Sequence, residues 1–320
     1  MKAVVLVGGE GTRLRPLTLT VPKQMLPVGG RPMIERVLEW LAVHGVEEAV
    51  LSLGYRPDAF LQAYPRGEAC GVRLVYAVED SPLDTAGAIR FAALQGGVSE
   101  RFVVVNGDVL TDLDVSGLVR FHHERRAEAS IALTPVDDPS RYGVVPTDER
   151  GQVLAFIEKP PPGQAPTNLI NAGTYVLEPS VLDRIPSGRK VSIERETFPE
   201  MVSEGRLYAL GSDAAWLDAG TPATLLAANL AYAPLGPPHA GVTASVVADD
   251  ASVAPGAVVQ RSVVMAGAVI EAGAEVADSL VGPGARIGAG ARVTGCSVIG
   301  QGYAVEPGAE LSEARLPQPV

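Results

Sequence analysis

Cysteine is nearly absent. The 320 residues contain two, Cys70 and Cys296, isolated and without CxxC spacing. That excludes a disulfide framework and makes a reducing compartment the expectation. Long hydrophobic runs are missing as well. The apolar stretch at residues 3–7 is too short for a signal peptide or a membrane span, and no later run reaches spanning length. A cytoplasmic protein with no membrane partner is expected. Positive charge is in deficit, with 26 Lys and Arg against 37 Asp and Glu and a net charge of −11. This argues against a nucleic-acid backbone as partner, and it means that a polyanionic substrate needs a locally positive site or a metal. What remains is the composition of a soluble globular protein, 47% hydrophobic and 20% charged, long enough for about two domains.

The organising stretch is Val4-Val5-Leu6-Val7-Gly8-Gly9-Glu10-Gly11-Thr12-Arg13-Leu14-Arg15-Pro16, with Pro22-Lys23 beyond it. A short β-branched apolar run reads as a buried parallel strand. It empties into a loop of three glycines, whose bare backbone lets N–H groups approach an anion. Arg13, Arg15 and Lys23 add cationic charge, so the whole reads as a phosphate cradle. It lacks the Gly-Lys-Ser/Thr ending of a Walker A loop and the third glycine of a dinucleotide fingerprint.

From residue 1 to about 232, strand-like and helix-like stretches alternate, as in an α/β domain with a mixed, mostly parallel sheet of Rossmann-like kind. Pro32 suits a first helical position, with Met33, Ile34, Val37, Leu38 and Leu41 on one face and Gly45 as the stop. Strands are predicted at 49–53, 72–78, 102–105, 130–133, 153–157 and 170–177, and helices at 85–94 and 115–126. The strand at 102–105 ends in Asn106-Gly107-Asp108. Ligands of open α/β sheets collect at carboxyl ends of strands, which makes Asp108 a candidate for chemistry. His122 and His123 have no partner spacing and are expected to be solvated or capping rather than ligands. Thr221 is the expected N-cap of a helix opening at Pro222.

Pro234-Leu235-Gly236-Pro237-Pro238 breaks any helix and marks a linker over 234–241. Beyond it, aliphatics recur at Val247, Val253, Val259, Val264, Ile270, Val276, Val281, Ile287, Val293, Ile299, Val305 and Leu311, every sixth residue with two slips to five. The residues between are small. No helix has this period; a left-handed parallel β-helix of hexapeptide repeats over 242–320 does, with three short strands per triangular turn. The predicted organisation is therefore an α/β domain at 1–233, a linker, and the β-helix.

Together the motifs resemble the nucleoside-diphosphate-sugar pyrophosphorylases, or sugar-1-phosphate nucleotidyltransferases, and within them most closely the mannose-1-phosphate guanylyltransferases. The matching residues are Gly8-Gly9-x-Gly11-Thr12-Arg13-Leu14-x-Pro16, Pro22-Lys23-x-Met25-Leu26-Pro27, Thr85-Ala86-Gly87, Asn106-Gly107-Asp108, Glu158-Lys159-Pro160, Asn171-Ala172-Gly173 and Trp216-x-Asp218-x-Gly220. The resemblance implies a nucleotide held by Gly8, Gly9, Gly11, Thr12 and Arg13, with Thr85, Ala86 and Gly87 near base and sugar. It implies Arg13, Lys23 and Asp108 as catalytic residues, and Asp108 with Asp218 on a Mg²⁺. Glu158, Asn171 and Gly173 would bind the sugar and Lys159 its phosphate.

The chemistry suits these residue types. A sugar-phosphate oxygen, already ionised near neutral pH, attacks the α-phosphorus of a nucleoside triphosphate and pyrophosphate leaves. The demand is for cations, a metal and positioning rather than a general base. GTP with mannose 1-phosphate is the favoured pair, and a thymidylyltransferase acting on glucose 1-phosphate the alternative. A non-catalytic regulatory subunit would be expected to lack the charged residues that are all present here. An acyltransferase reading of the β-helix fails for want of a histidine after His239. Self-association, through the β-helix, is expected instead. Two positions depart from the family pattern: Glu10, expected to point outward, and Asp84, where the guanylyltransferases usually carry glycine.

Overall fold

The computed structural model describes residues 1–233 and 241–318. Except for Gly241, the predicted linker lies outside the described residues. Chain contacts divide the protein into two compact units, one of Met1–Gly8 with Val37–Trp216, the other of Gly9–Arg36 with Leu217–Val320. The segment carrying most of the glycine loop thus packs with the C-terminal part of the chain.

The first unit is built on strands β1 (Lys2–Leu6), β2 (Glu48–Leu53), β3 (Val72–Val78), β4 (Phe102–Asn106), β5 (Ala129–Pro135), β6 (Leu169–Leu177) and β7 (Leu207–Gly211). Their order across the sheet is β3-β2-β1-β4-β6-β5-β7. The pairs β3–β2, β2–β1, β1–β4 and β5–β7 are parallel, while β6 runs antiparallel to both β4 and β5. The most apolar runs in the sequence, in β1, β2 and β4, are the central strands, buried on both faces as their lack of alternation required. Helices that bear on the site are α1 (Met33–Val43), α2 (Asp84–Gln95), α3 (Val115–Arg125) and α4 (Phe198–Ser203), with α5 (Pro222–Ala231) in the second unit. Val4, Val50, Val104, Ile131, Tyr175, Leu177 and Phe198 belong to one buried core, in which the Tyr175 and Phe198 rings meet edge to face at 5.2 Å.

Three local readings are corrected. The strand predicted at 153–157 is not continuous: Val153 makes one isolated bridge, Leu154 is exposed, and pairing resumes only at Ile157–Glu158. Pro32 ends a two-strand hairpin, Pro27–Val28 with Arg31–Pro32, and the helix starts one residue later. His122 is fully buried rather than solvated, because Ser130 Oγ at 2.9 Å and Glu178 Oε1 at 3.2 Å meet its two ring nitrogens. Burial holds its pKa below the ordinary histidine value. His123 is exposed.

The C-terminal part of the second unit is the left-handed parallel β-helix that the hexapeptide pattern predicts. Among the described residues its short strands form three parallel sheets, with anchors in register from coil to coil: Val247, Val264, Val281, Ile299 and Leu316 on one face, Val253, Ile270, Ile287 and Val305 on the next, and Val259, Val276, Val293 and Leu311 on the third. Anchors of the inner coils are buried completely, whereas Val247, Val253 and Leu311 at the ends are only partly covered. The slips to five have a local cause. One corner of each coil turns on a left-handed residue, and at Ala244, Arg261, Asp278 and Cys296 that residue is followed by a serine. Ser262 Oγ accepts from Ser279 N at 3.1 Å, and Ser262 N donates to Ser245 Oγ at 3.0 Å, so the tight corner is stitched to the coils beside it. At the next such corner an extra Gly295 restores the spacing of six.

Candidate active site

In the first unit the strand order reverses at β1. The chain moves from β1 outward through β2 and β3, then crosses to place β4 on the other side of β1. Crevices for ligands form at such a switch point, outside the carboxyl ends of the two strands. Gly8 follows the end of β1 and Asn106-Gly107-Asp108 the end of β4, with Leu6 opposite Asn106. Gly107 donates its N–H to Leu6 O at 2.9 Å, and a β carbon on it would stand 2.5 Å from Val7 Cγ1. Only glycine allows this approach, which brings Asp108 beside the glycine loop's stem. Gly8 and Gly54 make a second close passage: a β carbon on Gly54 would be 2.9 Å from Gly8 O.

The same strand ends gather the residues predicted to hold the sugar. Thr174 pairs with Val105, which sets Gly173 against Asn106. Gly173 has φ +74°, and a β carbon there would stand 2.5 Å from Asn106 Nδ2. The β6 register shifts between Asn171 and Tyr175, so the Asn-Ala-Gly motif is a bulge. Asn171 holds it open, accepting from Gly173 N at 2.9 Å and donating to Tyr175 Oη at 2.8 Å. Burial pushes the Tyr175 phenol far up, so it stays protonated. Glu158 and Lys159 form an ion pair at 3.5 Å on backbone held by Lys159 N–H donating to Tyr142 O. Tyr142 stacks edge-on against Trp216 at 5.6 Å, and Trp216 Nε1 donates to Ala172 O at 2.9 Å.

Thr85-Ala86-Gly87 opens α2, also in this unit. Ala86 and Gly87 are buried, and both N–H groups donate to Val191 O, at 2.9 and 3.3 Å. Thr85 Oγ1 accepts from Ile193 N at 2.8 Å and donates to Glu194 Oε2 at 2.7 Å. The Ala86 and Gly87 amides and the Thr85 hydroxyl are thus committed to the 191–194 segment. Asp84 takes the left-handed conformation at φ +60°, which is why glycine suits the position. Its Oδ1 accepts Thr85 N at 2.8 Å. Glu79, which the sequence did not single out, ties the region together: its carboxylate accepts Ser52 Oγ at 2.8 Å and Leu83 N at 3.0 Å. The only sequence signal was an acidic residue just past a strand.

The second unit carries Gly9, Gly11, Thr12, Arg13, Lys23 and Asp218. Gly11 turns the loop at φ +63°, and a β carbon on it would meet Thr18 Cγ2 at 3.0 Å and Lys23 Cβ at 3.1 Å. Thr18 Oγ1 donates to Gly11 O at 2.9 Å and closes the turn. Gly9 differs: among the described residues, its chain neighbours aside, no atom comes within 4 Å of where its β carbon would stand. Glu10 is exposed and pairs with Arg15 at 3.0 Å, leaving Arg13 without that carboxylate. Arg13 instead reaches Gly220. A β carbon there would lie 2.7 Å from Arg13 Nη2 and 2.7 Å from Asp218 Oδ1, which itself accepts Gly220 N at 2.9 Å. Asp108 and Asp218 offer hard carboxylate oxygens, the donors Mg²⁺ takes when substrate phosphates and water complete its shell. Among the described residues no group of three or more acidic, histidine or cysteine side chains is placed to hold a metal.

Family models match almost the whole chain: the nucleotidyl transferase model at residues 2–234 and the GMPPB C-terminal domain at 239–317. A mannose-1-phosphate guanylyltransferase of Mycobacterium tuberculosis is 42% identical, over 80% of this chain and 72% of its own length. The mannose-1-phosphate guanyltransferase of Aspergillus fumigatus is 43% identical over 72% of this chain; the match spans 64% of the fungal protein's length. Among solved structures, HddC from Yersinia pseudotuberculosis complexed with GMP-PN is 30% identical with a TM-score of 0.62, covering 72% of this chain and 99% of that one. No described helix is long and apolar enough to cross a membrane. The chain belongs to the nucleotidyl transferase family and is an enzyme of its sugar-1-phosphate nucleotidyltransferase type.

Proposed function

We propose that the chain transfers a guanylyl group from GTP to mannose 1-phosphate, giving GDP-mannose and pyrophosphate. The observation that supports the reading is the switch point, where Gly107 packs on β1, setting Asp108 at the strand ends beside Gly8, with Gly173 of the Asn171–Gly173 bulge against Asn106. The guanylyltransferase relatives support the choice of base and sugar.

In this reading an oxygen of the sugar phosphate forms a bond to the α-phosphorus. The α–β bridging bond breaks, and pyrophosphate leaves with that electron pair. Gly8, Gly9, Gly11 and Thr12 let the triphosphate approach the backbone, and at Gly9 no described residue beyond its chain neighbours competes for the space. Arg13 and Lys23 neutralise phosphate charge. Thr85 faces base and sugar, while buried Ala86 and Gly87 seat it. Glu158 accepts from sugar hydroxyls and Lys159 meets the sugar phosphate. Asn171 and Gly173 shape the sugar pocket through the bulge. Asp108 and Asp218 would hold a Mg²⁺, which when bound withdraws charge from the phosphates.

A matrix of GTP, dTTP, UTP and ATP against mannose 1-phosphate and glucose 1-phosphate, assayed by pyrophosphate release, tests the assignment. The highest kcat/KM is expected for GTP with mannose 1-phosphate. A higher value for dTTP with glucose 1-phosphate would replace it. Asp108→Asn is expected to abolish turnover with an unchanged circular dichroism spectrum, and retained turnover would remove Asp108 from the metal site.

A further inference from the structure

The glycine loop rests on the β-helix, inside the second unit. On the face of the coils built from Val246–Val247, Val263–Val264, Leu280–Val281 and Val298–Ile299, the residue after each anchor is Ala248, Met265, Gly282 and Gly300. A β carbon on Gly282 would stand 2.7 Å from Ile299 O of the next coil and 3.0 Å from Leu17 Cδ2, and one on Gly300 would stand 3.0 and 3.1 Å from Pro16 Cγ and Cβ. Pro16 and Leu17 are buried, while Arg13, three residues earlier, is exposed. The loop between is short and tightly tied. Leu14 N donates to Gly11 O, Leu19 N to Pro16 O, and Thr18 Oγ1 to Gly11 O.

We propose that Gly282 and Gly300 are positioning residues of the nucleotidyl transfer: they form a side-chain-free seat for Pro16 and Leu17, and the seat sets where Arg13 stands relative to the triphosphate. The inference rests on the reading of the Gly8–Arg13 loop as the nucleotide cradle. It makes the β-helix part of the catalytic apparatus, whatever else it does as an assembly surface. A hexapeptide repeat needs small residues for its own turns, so the internal cost must be separated from the seat. Gly288 does this. It follows anchor Ile287 as Gly282 follows Val281, and its β carbon would meet only β-helix backbone, Val305 O at 2.6 Å and Pro307 N at 2.6 Å. Gly300→Ala meets Leu316 O at 3.1 Å in the same way, and Pro16 besides.

The experiment compares full-length Gly300→Ala, Gly288→Ala, Leu17→Ala, Arg13→Ala and the Gly300→Ala/Arg13→Ala double variant, each by steady-state kinetics with GTP and mannose 1-phosphate and by thermal unfolding. Displacing the cradle by less than an ångström is expected to lower kcat about 10–100-fold in Gly300→Ala with little change in KM for the sugar phosphate. Gly288→Ala should stay within about twofold of the parent kcat while melting at least as early. Leu17→Ala, which leaves the coils untouched, should lower kcat and carries the test if Gly300→Ala does not fold. In the Arg13→Ala background, Gly300→Ala should have no further effect on kcat, since the seat acts through that guanidinium. Equal kcat in Gly300→Ala and Gly288→Ala, or a Gly300→Ala loss undiminished without Arg13, would overturn the seat. Full activity in Arg13→Ala would instead overturn the cradle reading beneath it.

Discussion

Gly220→Ala separates catalytic geometry from stability more cleanly than any other single change in this chain. The added methyl carbon would lie 2.7 Å from Arg13 Nη2 and from Asp218 Oδ1, against an ordinary contact near 3.4 Å. Each group must therefore move by about 0.7 Å. Both atoms end side chains, so no backbone need shift. Gly220 has a φ outside the left-handed region, so alanine carries no conformational penalty there. Its smaller unfolded-state entropy contributes about 0.4–1 kcal/mol to stability and offsets the crowding. Tm is expected within about 3 °C of the parent. The chemistry should suffer more, because the displaced pair comprises the phosphate-neutralising guanidinium and a carboxylate proposed to hold the metal. A misplacement of this size costs about 10–100-fold in kcat, or about 1.4–2.7 kcal/mol of barrier. The assay is pyrophosphate release at saturating substrates beside a calorimetric melt. An unchanged kcat with intact Tm would refute the argument that Arg13 and Asp218 act from the positions Gly220 permits.

Three further outcomes concern the scaffold. Thr221 caps α5, its hydroxyl accepting Thr224 N at 3.2 Å within a capping box, so Thr221→Ala should cost about 1 kcal/mol in denaturant unfolding. Ile287 is wholly buried between coils, and Ile287→Ala should destabilise the β-helix by about 2–5 kcal/mol, read as an earlier melt of the parallel-sheet signal. Burial keeps His122 neutral in the fold, with its pKa below the unfolded value of 6.5. The unfolded chain then takes up the proton first, so this residue removes stability as pH falls below about 6.5 and contributes no slope well above it. Melting temperatures from pH 8 to pH 5.5 should therefore fall less steeply for His122→Gln than for the parent, and parallel curves would contradict that.

Much of this was legible because the signals were periodic or local. Apolar runs without alternation announced β1, β2 and β4 as central strands. The six-residue spacing announced the coils, since anchors that must stack in register leave a pattern no helix could produce. Site residues were expected from motif order, and the nearness of Asn106 to Gly173 follows from the pairing of β4 with β6. What stayed hidden depends on long-range contact. His122 looked like a surface histidine on a polar helix because Glu178, the partner that meets one of its ring nitrogens, lies 56 residues away. The stretch 153–157 had strand composition, but only part of it finds a neighbouring edge. Asp84 looked like a defect in a motif. It adopts the backbone conformation glycine would have supplied, and its own carboxylate takes up the Thr85 amide.

The least legible feature is which part of the chain the cradle belongs to. In sequence, residues 9–36 read as the opening of the α/β domain, and the family model includes them there. In packing they join the β-helix unit, together with Asp218 and Gly220. Part of the reason lies in the glycines of the coils that the loop touches. Anchors Val247, Val264, Val281 and Ile299 are followed by alanine, methionine, glycine and glycine, and the loop lies against the two coils that offer no side chain. The repeat's own stacking already asks for glycine at Gly282, where a β carbon would stand 2.7 Å from Ile299 O, whereas at Gly300 the nearest atom is Pro16 Cγ at 3.0 Å and the loop itself takes up the space. A face shaped to receive Pro16 joins the cations of the proposed cradle to a stack of side chains buried in register from coil to coil.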